Sequence, residues 1–323
     1  MFVKKSQCGY DTTALVCCGH DVDFLTTTYP KRTVRSINST TFIRNPVIPD
    51  RKICGFQKYI SHYNKVVGGT HTHFKEYPWM GLLGYTTRSG KIRWSCGGTL
   101  ISHKYVLTAA HCVTGNIEIQ VGKLTYVKLG EYNQTEHLDC RKDANTCNTT
   151  TVIAEVENVS VHENYDTTDS ASKNDIALIR LSQKIEYTDL IKPICLPEPD
   201  EGSGSNDRLI VAGWGQTENG SYSNVKLQVL VPFRTNDECM TAFRKIRLNL
   251  TDSQMCAGGE DGKDSCKGDS GGPLMRRSKS NYLQWYQEGI VAIGNTDCGT
   301  AGLPGIYTKV SSFLSWIHSN VKE

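Results

Sequence analysis

Three short segments carry the residue types of nucleophilic acyl chemistry. Gly268-Asp269-Ser270-Gly271-Gly272-Pro273 sets a serine among glycines, with an acid before it. A serine hydroxyl is a weak nucleophile, so this chemistry needs a neighbouring base and donors for the developing oxyanion. The glycines allow the close backbone approach that such donors require. Leu107-Thr108-Ala109-Ala110-His111-Cys112 supplies an imidazole, and Asn174-Asp175-Ile176-Ala177-Leu178 a carboxylate ahead of an apolar run. Taken singly, each has a plainer reading: a turn serine, a structural or surface histidine, a strand cap. Their co-occurrence is the informative observation.

Groups this far apart in sequence must be brought together by a fold. Short β-branched and aromatic runs recur between glycine-containing turns from Val66 onward, at 79–85, 93–101, 124–129, 176–181, 209–214, 227–231 and 289–293. This spacing predicts an all-β barrel or sandwich. Val310, Phe313, Leu314 and Ile317 fall at i, i+3, i+4 and i+7, which predicts a closing amphipathic helix over 308–320. The chain has 323 residues, 38% of them hydrophobic and 21% charged, a balance able to bury a core. Lys plus Arg number 36 against 33 Asp plus Glu, a formal net charge of +3, which gives no reason to expect nucleic acid. No apolar run is long enough for a membrane-spanning helix.

Thirteen cysteines without a CxxC pair favour an oxidising, extracellular setting. Sequons at Asn38, Asn133, Asn148, Asn158, Asn219 and Asn249 point the same way. The start, Met1-Phe2-Val3-Lys4-Lys5, has no apolar stretch, so no signal peptide is read there and a truncated or alternative N-terminus is expected. Three regions follow: 1–18, short and cysteine-bearing; 19–65, rich in Thr, Ser, Arg and Pro, read as linker and activation segment; and 66–323, the β-rich domain.

Together the three motifs resemble the chymotrypsin-like serine proteases, in the chain order His111, Asp175, Ser270. The resemblance runs from Val66 to Glu323. It implies two six-stranded antiparallel β-barrels with a C-terminal helix, preceded by a small disulfide-rich remnant. It also implies catalytic roles for His111, Asp175 and Ser270, and an oxyanion hole from the N–H groups of Gly268 and Ser270. The base of the primary pocket lies six residues before the nucleophile, at Asp264, and two wall positions match Gly294 and Gly305. A buried acid between small walls implies cleavage after Arg or Lys; the plain alternative is a solvated loop acid. Two departures stand out: Ala292, where the family usually has a Ser supporting the triad acid, and Ile293, where Trp is common.

Lys65-Val66-Val67-Gly68-Gly69 resembles the activation site of a zymogen. Cutting after Lys65 would free the Val66 ammonium to pair with Asp269. The family pattern implies disulfides Cys96–Cys112, Cys239–Cys256, Cys266–Cys298 and Cys54–Cys195. Cys140–Cys147 is a pair typical of arthropod clip-domain proteases. Cys8, Cys17 and Cys18 resemble the last half of a clip domain.

Leu129-Gly130-Glu131-Tyr132-Asn133 resembles the start of a calcium loop, with Glu131, the Asn133 carbonyl and Asp139 as candidate ligands; a solvated acidic loop is the alternative. His71-Thr72-His73 reads as surface loop rather than a metal site, since no further ligands accompany it. Catalysis is expected to need no cofactor. The resemblance implies a secreted zymogen acting in an extracellular cascade such as melanisation, Toll-pathway signalling or embryonic patterning. Its expected partners are a downstream zymogen or cytokine precursor, an upstream activating protease and serpins. The rivals are a non-catalytic clip-domain homologue serving as a cofactor or binding module, against which the intact His111, Asp175 and Ser270 tell, and a digestive trypsin, which the N-terminal cysteines disfavour.

Overall fold

The computed structural model describes residues 7–10, 14–16, 44–57, 69–135, 139–140, 147–148, 151–199, 201–217, 220–246, 248–262, 268–294 and 299–323. The chain divides into two compact units, Met1–Thr41 and Phe42–Glu323. In the first, β1 (Gln7–Tyr10) pairs antiparallel with β2 (Ala14–Val16). Cys8 lies on β1, while Cys17 and Cys18 fall outside the described residues.

The second unit opens with β3 (Thr70–His71), β4 (Met80–Thr86), β5 (Ile92–Leu100), β6 (Tyr105–Thr108) and β7 (Lys123–Leu129). A small pair follows, β8 (Asp139–Cys140) with β9 (Cys147–Asn148), then β10 (Val152–Val161) and β11 (Ala177–Leu181). Strands β4, β5, β6, β7, β10 and β11 close into a six-stranded barrel. The later strands are β12 (Arg208–Gly213), β13 (Leu227–Arg234), β14 (Gln254–Gly258), β15 (Pro273–Arg277), β16 (Trp285–Ile293) and β17 (Pro304–Lys309). They run in the order β12-β15-β16-β17-β14-β13, and pairing of β13 back to β12 closes a second barrel; β3 adds to the outside of β13. Every pairing between these strands is antiparallel. The expected double barrel is therefore the fold.

Inward side chains fill each barrel. Leu83, Leu100, Leu107, Val127 and Leu129 are fully buried in the first, and Leu209, Val231, Leu274 and Tyr307 in the second. Each such aliphatic side chain contributes roughly 1.5–3 kcal/mol relative to exposure. Trp79, also fully buried, reaches across with its indole Nε1 at 3.0 Å from Met275 Sδ on β15. Among the described residues, three α-helices complete the unit: α1 (Asn116–Gln120), α2 (Asn236–Ala242) and α3 (Leu314–Asn320). α2 begins in a capping box, in which Thr235 and Glu238 each satisfy the other's backbone N–H. The predicted closing helix over 308–320 starts later than expected. Thr308 and Lys309 remain in β17, paired with Ile290 and Gly289, and a 3₁₀ turn at Val310–Phe313 precedes α3.

Part of the stretch read as linker is structured on the second unit. Cys54 is disulfide-bonded to Cys195. Gly55 donates to the Pro193 carbonyl at 2.8 Å and accepts from Trp285 at 2.9 Å. A Cβ at Gly55, whose φ is +74°, would sit 2.3 Å from the Trp285 carbonyl, so only glycine fits this approach. Arg51 pairs with Glu201 at 3.0 Å, and the Asn45 backbone N–H donates to His318 Nδ1 at 2.8 Å. Burial and the nearby Arg44 charge push the His318 imidazole down to about 4, so it is neutral and accepts that bond at physiological pH. Protein cut after Lys65 should therefore stay in one piece. Electrophoresis should give one band without reductant and two with it; two bands in both lanes would refute the tether.

Candidate active site

His111 and Asp175 belong to the first barrel and Ser270 to the second. His111 lies on a 3₁₀ turn, Ala110–Cys112, just after β6. Two bonds fix that turn: the Cys96–Cys112 disulfide to β5, and a hydrogen bond of 2.6 Å from the buried Tyr85 hydroxyl to the Cys112 carbonyl. Asp175 precedes β11, and Asn174 before it turns the chain at φ 57°, a left-handed conformation that Asn tolerates. Asp175 is fully buried. A buried carboxylate requires partners for both oxygens. Here both come from His111: the backbone N–H donates to Oδ1 at 2.9 Å, and Nδ1 lies 2.7 Å from Oδ2. This pairing places the ring proton on Nδ1 and leaves Nε2 as the free acceptor. Burial pulls the His111 pKa down, but the charge and hydrogen bond of Asp175 outweigh it and hold the imidazole above its ordinary 6.5. Thr308 on β17 donates to the Asp175 carbonyl at 2.8 Å, fastening the acid to the second barrel.

The serine turn is held by close backbone contacts. Gly97 on β5 donates to the Ser270 carbonyl at 2.7 Å, and Gly271 donates to the Val291 carbonyl on β16 at 2.9 Å. A Cβ at Gly271, with φ +75°, would lie 2.2 Å from Thr108 Oγ1, and one at Gly97 would lie 3.1 Å from the Gly272 Cα. Gly268 has φ +101° and lies beneath the Tyr222 ring, so it too admits no ordinary side chain. Gly97, Thr308 and Tyr85 were not singled out in the sequence. Glycines inside the β5 run were the available signal, because they mark close backbone approach.

Asp269 accepts the Gly215 N–H at 2.9 Å and packs so tightly on Gly213 that a Cβ there would fall 2.1 Å from its Oδ1. Its expected partner Val66, together with Lys65, lies outside the described residues, as do Asp264, Cys266 and Cys298. Ile293 ends β16 paired with Ile306 on β17; the expected wall residue Gly294 follows it, and Gly305 precedes Ile306 on β17, where it pairs with Ala257 on β14. Ile293 packs toward the Cys239–Cys256 cluster. A register shift at Val291–Ile293 places a bulge at Ala292. Among the described residues, both Asp175 carboxylate bonds come from His111 alone.

Cys239–Cys256 is formed, and Cys140 and Cys147 stand directly opposite each other on β8 and β9. The calcium-loop donors do not fit an ion as they stand. Glu131 is buried, with Oε2 bound to the Lys128 ammonium at 2.7 Å and Oε1 to the Tyr132 N–H at 2.9 Å. The charge of Glu131 is thus already balanced by the Lys128 cation. The side chain of Asp139 lies outside the described residues. His73 Nδ1 accepts from the Lys75 N–H at 3.3 Å, and His71 is exposed on β3. Adding EDTA to protein held in millimolar calcium should leave its melting temperature unchanged; a fall of several degrees would mean that calcium displaces Lys128.

Two barrels, one carrying an acid-oriented imidazole and the other a glycine-flanked serine turn, define the class: a serine endopeptidase of chymotrypsin-like fold. A family model described as Trypsin matches residues 66–317. The chain is 39% identical over 322 residues to Phenoloxidase-activating factor 1 of Holotrichia diomphalia, covering 99% of this chain and 84% of that protein. It is 40% identical over 329 residues to CLIP domain-containing serine protease HP8 of Bombyx mori, covering 99% and 85%. It is 39% identical over 333 residues to Serine protease ea of Drosophila melanogaster, covering 100% and 82%. The chain belongs to the trypsin family, among its clip-domain serine proteases. Among the described residues, no helix is long and apolar enough to cross a membrane.

Proposed function

We propose that the protein is a secreted zymogen whose activated form cleaves protein substrates after Arg or Lys in an extracellular cascade. The observation that carries this reading is the double hydrogen bond from His111 to the buried Asp175. In it, Ser270 Oγ attacks the scissile carbonyl and His111 Nε2 accepts the serine proton. Asp175 stabilises the imidazolium so formed, and His111 then returns the proton to the leaving amine. The N–H groups of Gly268 and Ser270 hold the oxyanion, a donor pair each member of which is worth about 10²–10³ in rate. Asp264 at the pocket base, between Gly294 and Gly305, receives the substrate cation. An upstream protease cuts after Lys65, and the new Val66 ammonium pairs with Asp269, ordering the oxyanion hole and pocket. No cofactor is needed for this chemistry.

Three relatives are named for activating phenoloxidase. Carried over to this chain, those names support a role in melanisation, with a zymogen as substrate and serpins as inhibitors; processing of a Toll-pathway cytokine precursor is the other cascade step of the same chemistry. One observation favours the non-catalytic rival: among the described residues, no hydrogen bond joins Ser270 Oγ to His111. Catalytic contacts of this kind commonly tighten only when substrate binds. Kinetics decide. Protein cut after Lys65 should hydrolyse amides ending in Arg or Lys, and Ser270→Ala should abolish this. Full activity in the Ala variant would sink the assignment, and no activity in the cut wild type would establish the rival. Incubation with extracellular zymogens and N-terminal sequencing of the products then identifies the substrate.

A further inference from the structure

One edge of the first barrel carries four exposed cations. No Asp or Glu occurs between Glu76 and Glu118, a stretch that includes Arg88, Lys91 and Arg93. The β4–β5 hairpin turns at 87–91, where Thr87 donates to the Lys91 carbonyl at 2.8 Å and Gly90 to the Thr87 carbonyl at 2.9 Å. Strand register brings a fourth cation to the same edge. Thr86 at the end of β4 is flanked by Ile92 on β5 and by Lys123 on β7, and Tyr85 by Arg93 and Leu124. All four cationic residues are exposed, and Ile92 among them is 44% exposed. Among the described residues, none of the four side chains is held in an ion pair with an acid. The nearest acid along the chain to Lys123 is the exposed Glu118 on α1. A merely solvated surface usually intersperses both signs of charge; the β4–β5 hairpin does not, and the exposed Glu155 lies on β10, beyond Lys123's strand β7.

The edge is continuous with the catalytic cleft. β5 runs from the hairpin to Gly97, which donates to the Ser270 carbonyl at 2.7 Å. Four residue steps separate Arg93 from Gly97, about 13 Å of extended strand. The serine turn is bracketed, with β5 on one side through Gly97 and β16 on the other through Val291. The pocket-wall glycines, Gly294 and Gly305, belong to the β16–β17 side. A substrate that inserts its Arg or Lys on that side must lead its leaving segment out over β5. We propose that Arg88, Lys91, Arg93 and Lys123 form a docking site for an acidic stretch of the protein substrate, beginning three or four residues after the scissile bond. The proposal rests on the reading of Ser270 as the nucleophile. Opposite charge at this distance steers encounter and stabilises the bound leaving segment, both screened by salt.

The test uses protein cut after Lys65 and three substrates: a peptide with Arg at the cleaved position and Asp or Glu at the third to fifth positions after it, the same peptide with Ser and Gln there, and an Arg chromogenic amide with no leaving segment. The variants are Arg88→Glu/Lys91→Glu and Arg93→Glu/Lys123→Glu. The wild type should cleave the acidic peptide about tenfold faster, in kcat/KM, than the neutral one at low salt. Each double variant should remove that preference and leave the amide unchanged, and 0.5 M salt should shrink the difference. No preference for the acidic peptide, or equal losses on peptide and amide, would overturn the proposal while leaving the nucleophile assignment intact. Failure of the wild type to hydrolyse the amide would instead refute the nucleophile assignment, and the proposal with it. Loss of binding to a sulfated polysaccharide with unchanged peptide kinetics would assign the edge to polysaccharide and overturn the proposal as well.

Discussion

Asp175→Asn should lower kcat on an Arg amide about 10⁴-fold with little change in KM. Asp175 is fully buried and, among the described residues, its two oxygens accept only from His111. An amide keeps the volume but presents a donor to Nδ1, and the imidazole then takes the tautomer whose Nε2 carries the proton and cannot accept one from serine. The pH profile gives a second readout. In the wild type the Asp175 charge holds His111 above its ordinary 6.5, so the acid limb of kcat/KM lies above that value. Without the charge only the downward pull of burial remains, and the limb moves to lower pH. The stability linkage changes sign with it. The wild-type pair contributes stability that is fully present below 6.5 and is lost as pH rises through the raised folded value. In the variant, the neutral buried ring contributes stability above 6.5 that is lost as pH falls. An acid limb that does not move on substitution would mean that another group governs it.

Asp264→Ser should be nearly as damaging, but only for cationic substrates. Losing one partner of a buried hydrogen-bonded charge pair costs about 2–5 kcal/mol, which is roughly 30- to 4,000-fold in kcat/KM for an Arg amide. A long side chain reaching Asp264 would pass between Gly294 and Gly305, which have no side chains to exclude it and so leave it room. With a serine hydroxyl at the base that room stays but the counter-charge goes, so cleavage of a Leu or Phe amide should not fall and the ratio of the two rates is the diagnostic. Unchanged kinetics on the Arg amide would mean that Asp264 does not line the pocket.

The chemistry-bearing residues were legible because each sits in a short string whose neighbours are constrained locally: glycines where φ is positive at 268 and 271, and an Asn at the left-handed position before Asp175. Strands whose apolar residues are continuous were legible too, as in β4 and β11, which are buried almost throughout. Strand β10 was not. Among its ten residues only Ala154 is buried, and a register shift between Val156 and Asn158 breaks its alternation. Strands β15 and β17 each begin with Pro, a residue that reads as a turn. It is tolerated at the first position of a strand because a missing N–H costs least there. Long-range contacts left no local trace at all. Nothing near Asn45 announces that it bonds to His318, and nothing near Gly97 announces the Ser270 carbonyl. Of the part of 19–65 that docks on the protease unit, the family pattern gave the Cys54–Cys195 tether, which is formed, while the pairing of Arg51 with Glu201 was hidden for the same reason.

The central claim is that Ser270 becomes a nucleophile once the chain is cut after Lys65. A fluorophosphonate reports this directly, because it bonds covalently to a serine activated by a base and leaves ordinary hydroxyls alone. The uncut and cut proteins should be treated in parallel and the adduct located by peptide mass spectrometry. The account predicts stoichiometric labelling of Ser270 in the cut protein, little in the uncut protein, and none in cut His111→Ala. Cut protein that stays unlabelled, or that carries the adduct on another serine, would contradict it.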